Sequence, residues 1–333
     1  MGPGLQRGRV DHVIILDGTM SKLIPGGETN AGKLFRLLTE QGRSHDRTIY
    51  YEPGLQVEDW RHLAAVAQGK GINRQIRRAY GYLASHYHQG DRIFLIGYSR
   101  GAYAVRSLAG AIDRVGLLRR EFATERNVHL AYRHYQRDPG RKSAQAFHRR
   151  FCHDVVPIEM VGVWDTVKAL GLRLPVLWKL TEGQTAFHNA QLGPNVRHGF
   201  HALAIHETRV AYIPILWNCP PGWEDRVEQV WFRGAHSDVG GQVNALPAAR
   251  PLANIPLVWM LERLESCEMT LPSGWRARFP CDATAPMVGA WRGWAWLFWL
   301  RKRRVIGKDR SERIHPSALG AGYDPKKYVL PPR

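Results

Sequence analysis

The chain has 333 residues, 44% of them hydrophobic, and a formal charge of +18 at pH 7. That apolar share builds a proper core and excludes wholesale disorder. The excess of cations points to an anionic partner, nucleic acid or acidic lipid headgroups, unless it is only a solvated arginine-rich surface.

Cys152, Cys219, Cys267 and Cys281 lie far apart and offer neither a zinc motif nor a disulfide framework, which fits a reducing compartment. The residues call for no metal and no cofactor. Met1 to Val10 holds Gly, Pro and Arg but no apolar h-region, and no stretch reaches the length of a spanning helix. The expectation is therefore a chain made in the cytoplasm without a Sec signal. Export by a route needing no such signal, and peripheral attachment to a membrane, both fit.

In chain order, Val10 to Leu16 reads as a buried strand ending in the turn Asp17-Gly18-Thr19. A polar loop leads to a helix over Ala31 to Thr39. Arg47 to Tyr51 reads as a strand, and Val57 to Tyr87 is helical in period. The run from Arg92 is a strand that ends in Gly97-Tyr98-Ser99-Arg100-Gly101, followed by a helix with Ala102, Val105, Leu108, Ala109 and Ile112 on one face. Glu121 to Phe151 is polar at helical spacing and reads as a surface helix or helical insertion. Val155 to Val163 is a strand ending in Trp164-Asp165-Thr166, and Leu170 to Arg197 is irregular. Phe200 to Arg209 is expected to be helical, Tyr212 to Trp217 and Val227 to Phe232 to be strands, and Ile255 to Glu265 a helix with Pro256 in its first turn. Strands alternating with helices predict a mostly parallel central sheet with helices on both faces.

The Gly97-to-Gly101 stretch fits G-x-S-x-G on a strand-to-helix turn, the place where a serine hydroxyl is lifted clear of a sheet. A nucleophilic serine needs a base, and the base needs an orienting carboxylate. His236 follows the strand Val227 to Phe232 in a loop of small residues, and Asp165 follows the strand between. The order Ser99, Asp165, His236 is that of α/β-hydrolases. Asp238 is a rival carboxylate, but two residues from the base it is placed to bond the loop backbone. The oxyanion hole needs two backbone N–H groups. Arg100 supplies one, and Gly18 or Thr19 the other. Asp17 either supports that turn or only bonds its own backbone.

Three motifs fall short. Gly27 to Lys33 matches G-x-x-x-x-G-K, but Leu34 stands where a hydroxyl must hold Mg²⁺. His206-Glu207 opens like H-E-x-x-H, but Val210 replaces the second histidine. Asp17-Gly18-Thr19 resembles the end of a phosphatase D-x-D-G-T, with Ile15 in place of the nucleophilic Asp.

Leu16-Asp17-Gly18-Thr19, Gly97 to Tyr103, Gly162 to Val167 and His236 to Gly241 come in the order seen in the α/β-hydrolase domain of type VI secretion phospholipase effectors, the first lipase-effector family. The chain resembles that family from about Val13 to His315. It departs from it at His206, where an acidic residue is frequent, and at Gln242, where a third glycine is. The resemblance implies a triad of Ser99, Asp165 and His236, and cleavage of phospholipid esters by the members of known activity.

Trp291, Trp294, Trp296, Phe298 and Trp299 precede Arg301-Lys302-Arg303-Arg304. Tryptophan beside a basic cluster suits the interface of an anionic bilayer, and it equally suits a buried helix or lid. The whole reads as one α/β-hydrolase-like domain over 1–333, with insertions at 120–150 and 170–200 and a Trp/Arg-rich lid or membrane-contact segment at 286–305. The expected activity is that of a serine esterase or lipase acting on phospholipid through an acyl-enzyme. The alternatives are a hydrolase of a small soluble ester or peptide, and a basic nucleic-acid-binding protein without catalysis. The last is disfavoured because no RNA- or DNA-reading motif is present.

Overall fold

The apolar runs become strands because each is covered on both faces. The computed structural model describes residues 7–40, 42, 44–54, 70–167, 191–223, 225–291 and 300–319. Among these residues seven strands form one sheet: β1 Asp11–Leu16, β2 Arg47–Glu52, β3 Arg92–Tyr98, β4 Ile158–Trp164, β5 Val196–Ala204, β6 Val227–Phe232 and β7 Glu312–Ile314. Their order is β2-β1-β3-β4-β5-β6-β7, and every pair is parallel. Along β1 the side chains alternate, Ile14 and Leu16 into one core, Val13 and Ile15 into the other. Parallel strands covered in this way read as continuous hydrophobic runs.

Helices α2 (Lys70–His86), α3 (Arg100–Val115) and α4 (Glu125–Arg137) pack on the first face. Helices α1 (Asn30–Thr39) and α7 (Arg250–Ser266) pack on the second. Helix α5 (Lys142–Phe151) adds Phe147 to the first core, and α6 is the short helix His236–Gly240. Strand order reverses between β1 and β3. In an open α/β sheet the crevice at the carboxyl ends of two such strands is where ligands bind. The turns after β1 and β3 carry Gly18 and Ser99.

Several expectations change. Phe200 to Arg209 is not helical: β5 runs from Val196 to Ala204 and a loop follows. Its Ala and His residues are poor strand formers in isolation, and burial on both faces removes the alternation that marks a strand. Tyr212 to Trp217 is not a strand. A 3₁₀ turn covers Val210–Tyr212 and an extended stretch follows. Helix α7 begins at Arg250, so Pro256 lies inside it while Pro251 occupies its first turn. Strand β7, three residues at the sheet edge, was not expected. The G-x-x-x-x-G-K near-miss is the start of α1, where Thr29 caps the helix by accepting from the Gly32 amide at 3.0 Å. Residues 57–69 of the expected second helix, 170–190 of the irregular stretch, and Trp294, Trp296, Phe298 and Trp299 lie outside the described residues. Among the described residues no helix is long and apolar enough to cross a membrane.

Candidate active site

Strand β3 ends at Tyr98 and α3 starts at Arg100, so the whole reversal falls on Ser99, with φ 57° and ψ −118°. For a residue with a side chain this is a strained conformation, held by its surroundings. The two flanking glycines are required by space. A β-carbon on Gly97 would lie 2.7 Å from the Ala102 backbone, and one on Gly101 would lie 2.0 Å from the Leu16 carbonyl oxygen. The bend is therefore clamped between α3 and β1. The Ser99 amide donates to the Trp164 carbonyl at 3.0 Å, fixing the turn to the end of β4.

Asp165 follows β4, with φ 40° and no exposed surface. Its Oδ2 lies 2.6 Å from His236 Nδ1, and His236 Nε2 lies 2.8 Å from Ser99 Oγ. An ionised carboxylate only accepts, so Nδ1 carries the proton, Nε2 is the free base, and the serine hydroxyl donates to it. The sequence thus places three residues from the ends of three strands into one hydrogen-bonded chain. His236 opens α6, lies tilted against the Tyr98 ring at 5.0 Å between ring centres, and meets the Tyr212 ring edge-on at 4.8 Å. A β-carbon on Gly240 would lie 1.9 Å from the Tyr98 ring, so the small residues of this loop let it close over Tyr98.

Burial disfavours the charged imidazole and pulls the His236 pKa below its ordinary value, against the pull of Asp165. Burial acts on Asp165 in the opposite direction. Arg304 and the His236 hydrogen bond outweigh it and hold the carboxyl well below the usual range. Arg304 lies at the end of the basic cluster expected at a membrane, yet it is buried. Its Nη2 donates to Asp165 Oδ2 at 2.9 Å, Nη1 donates to Oδ1, and Nη1 also reaches the Ala204 carbonyl at 2.7 Å.

The Arg100 amide heads α3 and has no acceptor among the described residues, as first-turn amides lack one. The Gly18 amide is taken by Asp17 Oδ1 at 2.6 Å, whereas the Thr19 amide has no acceptor there. Asp17 also accepts from Thr29 Oγ1 at 2.7 Å and from the Tyr51 hydroxyl at 2.8 Å, so it braces the β1 turn against α1 and β2. Asp238 accepts from the amides of Ala235 at 2.8 Å, Val288 at 2.7 Å and Gly289 at 3.2 Å. It fastens the histidine loop to a later segment and makes no contact with the imidazole.

Sequence reading did not find Glu207, Arg209, Tyr212 or the part played by Arg304. Glu207 is buried, accepts from the His236 amide at 3.2 Å, and takes Arg209 Nε at 2.8 Å and Nη2 at 2.6 Å. The Arg209 guanidinium lies 3.8 Å from the Tyr212 ring centre. The one local signal was His206-Glu207, noticed only as a failed zinc motif. Among the described residues no three His, Cys, Asp or Glu side chains gather as a metal site.

A family model described as the T6SS phospholipase effector Tle1-like catalytic domain matches residues 11–263. An uncharacterized protein of Saccharomyces cerevisiae is 29% identical in an alignment 223 positions long that covers 59% of this chain and 31% of that protein. A crystal structure of an uncharacterized protein from Pseudomonas aeruginosa aligns with a TM-score of 0.46 at 16% identity, over 82% of this chain and 49% of the other. The structure of the Tle1 effector bound to the VgrG spike of the type 6 secretion system aligns with a TM-score of 0.38 at 16% identity, over 71% and 51%. The chain thus spans about a third of the yeast relative and about half of each solved chain.

Proposed function

Since this chain belongs to the Tle1-like phospholipase effector catalytic-domain family, we propose that it is a serine hydrolase that cleaves carboxylic esters of phospholipids at an anionic bilayer surface. The observation that carries this reading is the hydrogen-bonded chain from Ser99 Oγ through His236 to Asp165, at 2.8 and 2.6 Å. Ser99 Oγ attacks the ester carbonyl carbon as its proton passes to His236 Nε2. The amides of Arg100 and Thr19 receive the oxyanion. Collapse breaks the ester C–O bond, the leaving alcohol takes the proton from Nε2, and an acyl-Ser99 remains. Water, deprotonated by the same nitrogen, then releases the fatty acid and restores the hydroxyl.

The test is fatty-acid release from phosphatidylglycerol vesicles and hydrolysis of a short-chain nitrophenyl ester, by wild type and Ser99→Ala side by side. Release from vesicles by wild type alone supports the reading. Cleavage of the soluble ester only would retain the nucleophile and remove the lipid assignment.

The bilayer part rests on where apolar surface is left exposed. Of the seven exposed large hydrophobic side chains among the described residues, Met20 and Ile24 sit on the loop after β1, Ile213 on the loop after β5, and Trp291 and Leu300 in segments bonded to the loops after β6 and β5, all at the carboxyl edge of the sheet. Exposed Lys22, Lys302 and Arg303 stand among them. An apolar rim studded with cations suits insertion into an anionic interface. Trp291 is 66% exposed and lies 3.8 Å from the Arg301 guanidinium. Burying such a side chain in lipid contributes about 1.5–3 kcal/mol, so Trp291→Ser should weaken binding to phosphatidylglycerol vesicles about tenfold or more. Sedimentation with vesicles measures this, and an unchanged partition would place Trp291 off the interface.

The pH profile is a second check. The reaction needs neutral His236, and burial opposes its protonation. The acidic limb of kcat/KM should therefore fall below the ordinary imidazole value of 6.5. A limb above that value would mean that the Asp165 charge outweighs burial.

A further inference from the structure

The chain holds a feature that lies outside the residues matched by the family model, on the segment after Leu300. Arg304 is 4% exposed at its side chain and Asp165 is fully buried. The guanidinium faces the carboxylate fork to fork, Nη1 to Oδ1 and Nη2 to Oδ2 at 2.9 Å. Its remaining Nη hydrogens are held by the Ala204 carbonyl at 2.7 Å and the Tyr212 carbonyl at 2.5 Å. The segment is fastened just upstream, where the Val210 amide donates to the Leu300 carbonyl at 3.0 Å and the Lys302 amide to the Thr208 carbonyl at 2.7 Å. A bidentate arginine fixes both distance and plane of a carboxylate. Without it, Asp165 would keep two partners, the Ala204 amide at 3.0 Å and His236 Nδ1 at 2.6 Å.

We propose that Arg304 is a positioning residue of the hydrolytic reaction: it holds Asp165 ionised and aimed at His236, and it keeps the imidazole neutral at rest. This rests on the reading of Ser99, Asp165 and His236 given above.

The argument is one of charge balance. A buried carboxylate beside an imidazole can draw the proton and leave an ion pair, which is useless as a base. A guanidinium on the far side compensates the carboxylate and weakens that pull. Among the described residues, the other groups facing His236 are Glu207 and Arg209, which pair with each other, and the phenols of Tyr98 and Tyr212. Arg304 is thus the cation that balances Asp165. Loss of Arg304 removes a positive charge, which favours the imidazolium and the protonated carboxyl alike. Both effects require a higher pH for activity.

The experiment compares wild type, Arg304→Met, Arg304→Lys, Asp165→Asn and the Arg304→Met/Asp165→Asn double variant, each checked for folding by circular dichroism. Two readouts are taken: NMR titration of the His236 imidazole nitrogens, and kcat/KM against pH on a soluble nitrophenyl ester. In Arg304→Met the imidazole titration and the acidic limb should both move up by about one pH unit or more, and kcat should fall on the order of 10²-fold, below the roughly 10⁴-fold loss known for altering a triad carboxylate itself. Arg304→Lys keeps the charge and loses the fork, so its limb should stay near wild type while kcat falls. In the Asp165→Asn background the methionine change should cost little, because the group it serves is gone.

A folded Arg304→Met with an unmoved titration and limb would overturn the proposal, as would effects that simply multiply in the double variant. Should Arg304→Met not fold, a folded Arg304→Lys with wild-type kcat and titration would overturn it as well. If Ser99→Ala proves as active as wild type, the triad reading falls. The imidazole titration then still decides whether Arg304 acts on Asp165 and His236.

Discussion

Ser99→Ala is expected to lower kcat for ester hydrolysis by about 10⁵- to 10⁶-fold while the fold stays intact. The loss is that large because, among the described residues, Ser99 Oγ is the hydroxyl hydrogen-bonded to His236 Nε2, at 2.8 Å. What remains is the rate supplied by the two oxyanion amides and by binding alone. Stability should change by no more than about 1 kcal/mol, the value of one hydrogen bond. Alanine carries the same backbone strain as serine at φ 57°, and the glycine contacts that enforce the bend are untouched. Single-turnover kinetics with equal melting temperatures checks both halves. A folded alanine variant that retains a tenth of the rate would exclude Ser99 as the nucleophile.

The parts of the site that were legible in the sequence share a physical cause. Ser99 and Asp165 follow a strand directly, His236 follows β6 after a short turn, and two of the three sit among glycines that close approach demands. Local pattern therefore picked out three residues that the fold brings within hydrogen-bonding distance of one another. The parts that were not legible depend on pairing across the fold. Arg304 reads as one of four adjacent cations and shows nothing that separates it from Arg303, yet one is buried on Asp165 and the other is exposed. Glu207 and Arg209 pair two residues apart, and only the position of the His236 amide gives the pair a meaning.

The sheet follows the same division. β1, β3 and β4 were plain as apolar runs, because a strand covered on both faces needs little else. β5 is buried from Gly199 onward, but its sequence Val196-Arg197-His198-Gly199-Phe200-His201-Ala202 has Val196 as its one β-branched residue. His201 is fully buried there, accepts from the Thr166 amide at 3.2 Å, and burial pushes its pKa down to about 3. It is a neutral core histidine beside the Asp165 turn, a role that spacing alone does not announce.

Glu207→Ala is expected to destabilise the fold by about 3–5 kcal/mol, the cost of leaving a buried charge without its partner. The Arg209 side chain is 8% exposed and Glu207 is fully buried. Alanine would strand that guanidinium and free the His236 amide, now held at 3.2 Å. Catalysis should fall with stability, since the same carboxylate fixes the start of the histidine helix. Two comparisons separate the terms. Replacing both partners, as Glu207→Ala with Arg209→Met, removes the stranded charge and should recover most of the stability. It should not recover the rate, because the His236 amide still lacks its acceptor. The pH dependence of melting gives the sign. Burial raises the Glu207 pKa, but Arg209 outweighs it and holds the carboxyl below its ordinary value of 4.5. The contribution is therefore whole above that value and is lost as pH falls through the lowered one. The alanine variant should lack this part of the acid transition. If urea melts of wild type and Glu207→Ala coincide, the pair does not hold the histidine loop, and its place beside the triad is packing alone.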